Sequence, residues 1–311
     1  MGSVGNWQES KEERKDIVKV LVTGATGRIG RSLIRQIPSG IDVEILLDPL
    51  DQYVPEYSWL RADIGDRNKV IMGVTCSKPD VVIHLAAMTD VDGCEEDSET
   101  AFRVNRDGTA YIAEACSRCG AKLVYLSTDY VFDGRMGPYT EEDKTHPISV
   151  YGRSKLEGEI AASGGVDNSL IVRISVPFGV RREGVNHNFV SWLVEELGAD
   201  STVPAVVDQY TTPAFMEELS EILWVLIRKD IRGTIHYGTS DRLSRYEMAC
   251  ELCRIMGVSE DLVTPVKTDE LGLLAKRPLE SGFVTDRLHD IIGRPPILYR
   301  HALYRIIEAA T

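Results

Sequence analysis

The sequence predicts an α/β fold, a doubly wound parallel sheet followed by a smaller C-terminal domain, and three observations carry that prediction. Short runs rich in Val, Ile and Leu alternate with helix-compatible stretches through the first 175 residues, the pattern of strands joined by crossover helices. Two of these runs, Val81-Val82-Ile83-His84-Leu85 and Lys122-Leu123-Val124-Tyr125-Leu126, are almost continuously apolar, as strands covered on both faces must be. Lastly, the β-branched run Lys19-Val20-Leu21-Val22-Thr23 passes through Gly24-Ala25-Thr26-Gly27-Arg28-Ile29-Gly30 into the helix-compatible Arg31-Ser32-Leu33-Ile34-Arg35-Gln36, giving strand, turn and helix.

Taken in order, strands are expected at 18–23, 43–48, 81–86, 122–127 and 169–175, with helices near 28–37, 66–76, 97–119 and 151–163. His84, inside an apolar run, reads as a packed core histidine. After Pro177-Phe178-Gly179 the alternation loosens, Arg, Gly and Pro become more frequent, and a shorter strand is expected near 233–238. Residues 17–179 therefore read as one domain and 180–311 as mainly a second, smaller one that forms a lid. Residues 1–16 are polar and charged and read as a disordered extension.

The glycine turn gives the first domain a ligand. Glycines let the backbone approach a pyrophosphate, whose charge meets free amide groups. The spacing here is G-x-x-G-x-x-G, a departure from G-x-G-x-x-G. A second strand, Val43-Glu44-Ile45-Leu46-Leu47, ends in Asp48, where a carboxylate would accept from an adenosine ribose; an ordinary turn aspartate before Pro49 is the alternative. Together these features favour a dinucleotide and a Rossmann-type sheet. Ligands of such sheets lie beyond the carboxyl ends of the strands, where Gly24, Ala86, Ser127 and Ser175 all fall.

A reacting group is suggested by Tyr151-Gly152-Arg153-Ser154-Lys155. On a helix the i and i+4 positions share a face, so the Lys155 ammonium would lower the pKa of the Tyr151 phenol from its free value of about 10. Thr128, at the end of an apolar run, adds a hydroxyl. Phenol, ammonium and hydroxyl together suit proton transfer to or from a carbinol oxygen.

Composition narrows the partners. The chain has 311 residues, 43% of them hydrophobic, enough for a substantial core. A net charge of -13 argues against nucleic acid or an anionic membrane as partner, so a phosphate site must be local. No run approaches the ~18 apolar residues that cross a bilayer, and a cytoplasmic address is expected. Cys116-Ser117-Arg118-Cys119 and Cys250-Glu251-Leu252-Cys253 have zinc-knuckle spacing but lie in helical patterns, so they read as reduced, packed thiols, with no metal expected; Cys76 and Cys94 show no partner.

The glycine turn, Leu85-Ala86-Ala87-Met88-Thr89-Asp90-Val91-Asp92, Val104-Asn105-Arg106-Asp107-Gly108-Thr109, Ser127-Thr128-Asp129-Tyr130-Val131-Phe132-Asp133-Gly134 and the Tyr151–Lys155 segment resemble the extended short-chain dehydrogenase/reductases, specifically the dTDP-4-dehydrorhamnose reductase branch. Val207-Asp208-Gln209-Tyr210-Thr211-Thr212-Pro213 and Arg277-Pro278-Leu279-Glu280-Ser281 are similar to further segments of that branch, so the resemblance covers nearly the whole chain after residue 16. Arg245-Tyr246-Glu247-Met248-Ala249-Cys250 also resembles the regulatory β subunit of methionine adenosyltransferase, which shares the fold.

The resemblance implies reduction of a nucleotide-linked 4-keto-6-deoxysugar, first of all dTDP-4-dehydrorhamnose, by NADPH or NADH. It makes Thr128, Tyr151 and Lys155 catalytic, with Lys155 also holding the nicotinamide ribose. It assigns the cofactor to Gly24, Thr26, Gly27, Arg28, Ile29, Gly30, Asp48, Asp63, Ile64, Leu85, Ala86, Ala87 and Thr89, with Asn105, Tyr151 and Lys155. Substrate contacts would come from Thr89, Asp90, Thr128, Asp129, Tyr130 and Arg277. For the diphosphate, the basic candidates are Arg181, Arg182, Arg245, Lys276 and Arg277, and Arg277 is favoured because Pro278 stiffens its loop. Asp48 would favour NADH and Arg28 and Arg31 NADPH, so both cofactors are expected with a modest NADH preference. A non-catalytic dinucleotide-binding regulator and an epimerase or dehydratase of the same fold remain alternatives; Asp129-Tyr130 after Thr128, in place of an Asp-Glu pair, disfavours the dehydratase. A homodimer is left open.

Overall fold

The apolar runs form the strands, and the polar-flanked stretches between them form the crossovers. The structure, a computed structural model, describes residues 18–51, 56–181 and 187–309, so the 1–16 extension and Arg182 lie outside the described residues. β1 (Val18–Thr23) leads into α1 (Arg28–Ile34), followed by β2 (Ile41–Leu47), a short β3 (Ser58–Arg61) absent from the expected set, α2 (Arg67–Ser77) and β4 (Val81–His84). After α3 (Val91–Glu96), the single helix expected over 97–119 is α4 (Ser98–Phe102), a π-helical turn over Arg103–Asp107, and α5 (Gly108–Cys119). β5 (Lys122–Thr128), α6 (Val150–Gly165) and β6 (Ser169–Ile174) complete the first half.

The second half begins with β7 (Pro177–Phe178), α7 (Phe189–Gly198), β8 (Val203–Val206), β9 (Tyr210–Thr211) and β10 (Ala214–Phe215). It continues through α8 (Met216–Arg228), β11 (Gly233–Tyr237), β12 (Leu243–Ser244), α9 (Arg245–Met256), β13 (Val263–Val266), α10 (Asp286–Ile292) and α11 (Tyr299–Glu308). The strand expected near 233–238 does not belong to the second domain, a correction to the sequence-derived boundary. β11 pairs in parallel with β6 and forms one edge of the seven-stranded sheet, ordered β11-β6-β5-β4-β1-β2-β3. Its Ile235 and Tyr237 are fully buried, so the apolar surface of this late strand is satisfied by the main core.

Both sheet faces are covered, which explains the unbroken apolar runs. Val22, Ile83 and Val124 pack with Leu219, Leu223 and Trp224 of α8 on one face. On the other, Leu21, Val82 and Leu123 pack with Ile112, Ala115 and Cys116 of α5. A separate core gathers Phe178, Leu193, Phe215, Met248, Leu252, Tyr299 and Leu303 beneath α7, α9 and α11. Cys116 and Cys119 sit on α5, Cys250 and Cys253 on α9, and all six cysteines are free. His84 is buried between Thr23 Oγ1 at 2.7 Å and Thr109 Oγ1 at 3.2 Å, and burial lowers its pKa to about 3, so it is a neutral core residue. Among the described residues no helix is long and apolar enough to cross a membrane.

The seating of α6 fixes where Tyr151 and Lys155 stand. Ser149 caps the helix by accepting from Gly152 N at 3.1 Å. Deeper in, Glu159 accepts from Ser127 Oγ of β5 at 2.5 Å and from Arg173 Nε and Nη2 of β6 at 2.9 and 2.7 Å. A Cβ at Gly158 would lie 2.3 Å from the Tyr125 hydroxyl, so only glycine permits this helix-to-strand distance. The side chains of Arg173 and Glu159 are 7% and 5% exposed, so a variant that removes one charge strands the other in the core. Arg173→Met should cost about 3–5 kcal/mol in urea unfolding, and Arg173→Met/Glu159→Leu should cost less than that single change.

Candidate active site

The sheet order reverses between β1 and β4, because the chain runs outward to β3 and then returns to the other side of β1. At the carboxyl ends of these strands lies a cleft of about 1220 Å3. That exceeds the ~300–1,000 Å3 of ordinary small-molecule pockets, leaving room for an extended ligand or two adjacent ones. Every residue of the sequence-derived site set lines this cleft except Asn105 and Arg277.

At one wall Gly24 has φ +67°, and a Cβ there would sit 2.6 Å from Ala86 N. The turn is therefore pressed against the end of β4, where Ala86 N donates to Thr23 Oγ1 at 3.2 Å. Such a bare backbone cradle fits a dinucleotide pyrophosphate. Asp48 lies at the tip of β2 on the cleft wall; its Oδ1 accepts from Leu50 N at 2.8 Å. Thr26 Oγ1 donates to Asp51 at 3.0 Å, and Arg28 Nη1 donates to the His187 carbonyl at 2.8 Å. Asp63 carries an ion pair with Arg103 at 3.3 Å.

The chemical wall stands at the end of β5. Thr128 Oγ1 accepts from Tyr130 N at 3.2 Å and donates to Asp129 Oδ1 at 3.3 Å. Tyr151 packs edge-on against Tyr130, with ring centroids 5.5 Å apart. Burial pushes the Tyr151 phenol above its usual pKa, and its hydrogen bond with Thr128 works the other way. Asp129 is buried, and desolvation raises its pKa although Ser175 and Ser281 each donate to its Oδ2 at 2.7 Å. Lys155 Nζ donates to the Leu126 carbonyl at 2.8 Å and sits 4.1 Å from the centre of the Tyr125 ring. Burial lowers its pKa to about 7, against the opposing field of Glu159.

Several expectations need correction. Tyr151 and Lys155 do share a helix, but Lys155 is not the group that moves the phenol's pKa: its ammonium is turned to Leu126 and Tyr125, and burial dominates. Asn105, expected at the cofactor, lies behind the wall on the π-helical turn; its Oδ1 accepts from Met88 N at 2.8 Å, and its Nδ2 donates to Ser154 Oγ at 2.9 Å. Arg277, the favoured substrate anchor, is occupied: Nη2 meets Asp92 Oδ2 at 2.9 Å and Nη1 donates to the Ala275 carbonyl at 2.9 Å. Arg181 pairs with Glu195 at 3.3 Å and is also off the cleft wall.

The cleft adds residues outside the expected contacts, among them Asp51, Arg103, Val176, Pro177 and His187, and it takes in Arg245, one of the basic candidates for the diphosphate. Of these only Arg245 carried a one-dimensional signal, as a base in an acidic chain. Val176 stands out because a β-branched residue at φ +44° is strained, and it sits where the chain leaves β6 for the second core. Its position before Pro177 favours extended backbone, so the sequence points the other way.

Burial of Lys155 makes stability depend on pH. Its folded pKa near 7 lies below the 10.5 of a free lysine, so the unfolded chain binds more protons between those values. The penalty is fully present below about pH 7, and stability rises with pH through that window. Denaturant unfolding across the window should show Lys155→Met stabilising the protein at the low end and losing that advantage at the high end.

Comparison with known proteins agrees with this geometry. The family model of the RmlD substrate binding domain matches residues 18–311. A dTDP-4-dehydrorhamnose reductase of Sinorhizobium fredii is 32% identical over 290 residues, covering 89% of this chain and 92% of that protein. Methionine adenosyltransferase 2 subunit beta of Danio rerio is 29% identical over 284 residues, covering 88% and 85%. The crystal structure of dTDP-4-dehydrorhamnose reductase from Bacillus anthracis in complex with NADP is similar with a TM-score of 0.81 at 28% identity, over 94% of this chain and 99% of that one. Sheet order, glycine turn and the Thr128, Tyr151 and Lys155 wall thus agree with a match over residues 18–311, and the chain belongs to the RmlD substrate binding domain family of extended short-chain dehydrogenase/reductases.

Proposed function

We propose that this protein is a reductase that uses NADPH or NADH to reduce the ketone of a nucleotide-linked 4-keto-6-deoxysugar, dTDP-4-dehydrorhamnose in particular. The observation that carries this reading is the placement of Thr128, Tyr151 and Lys155 on one wall of the cleft that the glycine turn also lines. The relatives named as dTDP-4-dehydrorhamnose reductases support the substrate. A bound reduced nicotinamide supplies the hydride.

The residues of the chain handle the proton. Reduction builds negative charge on the carbonyl oxygen, and the Tyr151 phenol, held protonated at neutral pH by its burial, gives that oxygen its proton. Thr128 donates a hydrogen bond to the same oxygen. Lys155, close to its titration midpoint at neutral pH, serves the ribose of the cofactor. Gly24 to Gly30 hold the pyrophosphate, and Asp48 faces the adenosine ribose. The β-subunit relative supports a second reading, a regulator that binds the dinucleotide without turnover. Retention of all three reacting groups on the cleft favours turnover.

Purified protein mixed with NADPH and a panel of nucleotide 4-ketosugars, followed at the nicotinamide absorbance band, tests the proposal; silence across the panel selects the regulator. Tyr151→Phe keeps the ring but loses the donor, so turnover should fall at least ~100-fold with dinucleotide affinity little changed. Asp48→Ala should shift relative affinity from NADH toward NADPH in parallel titrations, because the carboxylate repels a 2′-phosphate. An unchanged ratio would reduce Asp48 to the turn residue that its bond to Leu50 N already makes it.

A further inference from the structure

We infer that Arg245 is the cation that holds the phosphate groups of the substrate, a nucleoside diphosphate in chemical class. This rests on the reading of the cleft as a nucleotide-sugar reductase site. Arg245 is the first residue of α9, held by a capping box in which Ser244 Oγ accepts from Glu247 N at 3.1 Å and Glu247 Oε2 accepts from Ser244 N at 2.7 Å. It brings a charge to the cleft wall that Tyr130 and Val176 also line.

What singles it out is the absence of an internal partner among the described residues. Its Nη1 is sealed by surrounding atoms and donates to nothing. Its guanidinium lies 5.0 Å from the centre of the Phe189 ring, and stacking on a ring leaves the in-plane N–H donors available. Asp129 is near enough for its field to act on Arg245, yet its oxygens are taken by the hydroxyls of Thr128, Ser175 and Ser281. Desolvation lowers the Arg245 pKa, against the opposing fields of Tyr130, Asp129 and Tyr299.

A cation without an ion-pair partner at a partly buried position is costly, and this chain holds 48 Asp and Glu against 35 Lys and Arg, so a counter-ion was easily available in composition. Arg103 and Arg277 have theirs, in Asp63 and Asp92. Nε and Nη2 of Arg245 likewise have no hydrogen-bond partner among the described residues, and a guanidinium on a cleft wall with these donors uncommitted matches the forked geometry of a phosphate. Arg245 lines the cleft together with Thr128, Asp129 and Tyr130, and its charge couples to the last two, so the phosphates it meets are assigned to the substrate and not to the dinucleotide at the glycine turn.

Calorimetric titration of thymidine diphosphate, thymidine and NADPH into wild type, Arg245→Gln, Arg245→Lys and Arg277→Gln tests the assignment. Arg245→Gln should weaken thymidine diphosphate about 10- to 150-fold, the worth of hydrogen bonds to a charged group, and leave thymidine and NADPH unchanged. Arg277→Gln should weaken it far less. Unliganded Arg245→Gln should melt at or above the wild-type temperature, since it loses an unpaired, partly buried charge; lower melting with loss of every ligand marks a structural role and overturns the inference. If Arg245→Gln does not fold, Arg245→Lys decides, because it keeps the charge and loses the fork: thymidine diphosphate should weaken and NADPH should not. Thymidine diphosphate binding that survives at Arg245 variants, or an equal loss of NADPH, rejects the anchor alone. A wild-type protein that binds NADPH but no thymidine diphosphate rejects the substrate reading, and the anchor with it.

Discussion

The buried contact between α6 and the two strands beneath it sets the position of everything chemical in this protein. Tyr151, Lys155 and Glu159 are spaced four apart, so they share one face of the helix. Glu159 is locked to Ser127 of β5 and Arg173 of β6, and Gly158 lets the backbone close on Tyr125. With the lower end of the face fixed, the upper end must present Lys155 beneath Leu126 and Tyr151 beside Thr128. A buried ion pair is a weak source of stability compared with apolar packing, because both charges lose their hydration. Its value here lies in register: one turn of slippage along α6 would leave Glu159 and Arg173 unpaired in the core.

A second tie reaches the same helix through Ser154. Asn105 holds Met88 of the β4 loop and Ser154 of α6 at once, using both ends of its amide. The π-helical turn at Arg103–Asp107 widens the helix there and carries the amide inward. Asn105 therefore shapes the cleft without touching it, and Ala87, Thr89 and Tyr151 on the wall depend on a residue that is 1% exposed.

Electrostatics divides the cleft between structural and open cations. With a net charge of -13 the protein repels anions at long range, so an anion must be held by local donors, backbone amides or cations, shielded from competing carboxylates. Arg103, on the cleft wall, and Arg277, off it, are paired with Asp63 and Asp92. Arg28 commits a donor to the His187 carbonyl, and Arg245 rests on Phe189 with its Nη1 buried and unpartnered. The strained Val176 lies at the passage from β6 to the core that supplies Arg245 and Phe189, so the two bodies meet at the cleft itself.

Local pattern alone carries much of this structure. Apolar runs specify β1, β2, β4, β5 and β6 because a strand covered on both faces must be mostly apolar, with each buried polar group given a partner, and the glycine turn and the four-residue spacing of Tyr151 and Lys155 mark the two cleft walls. β3 gives no such signal because Ser58–Arg61 is a half-exposed edge strand with no apolar run, and β11 reads from sequence as part of the wrong body because its pairing with β6 joins residues about 60 apart in the chain. The fates of the cations are likewise invisible in one dimension: nothing adjacent to Arg277 foretells Asp92, and nothing adjacent to Arg245 foretells that Asp129 will be consumed by hydroxyls from Ser175 and Ser281. Sequence determines periodicity, turn chemistry and which charges exist, since these depend on near neighbours. Which charges remain unpaired, and how far burial moves Tyr151 and Lys155 from their free pKa values, is decided only when distant segments are brought within a few bond lengths of one another.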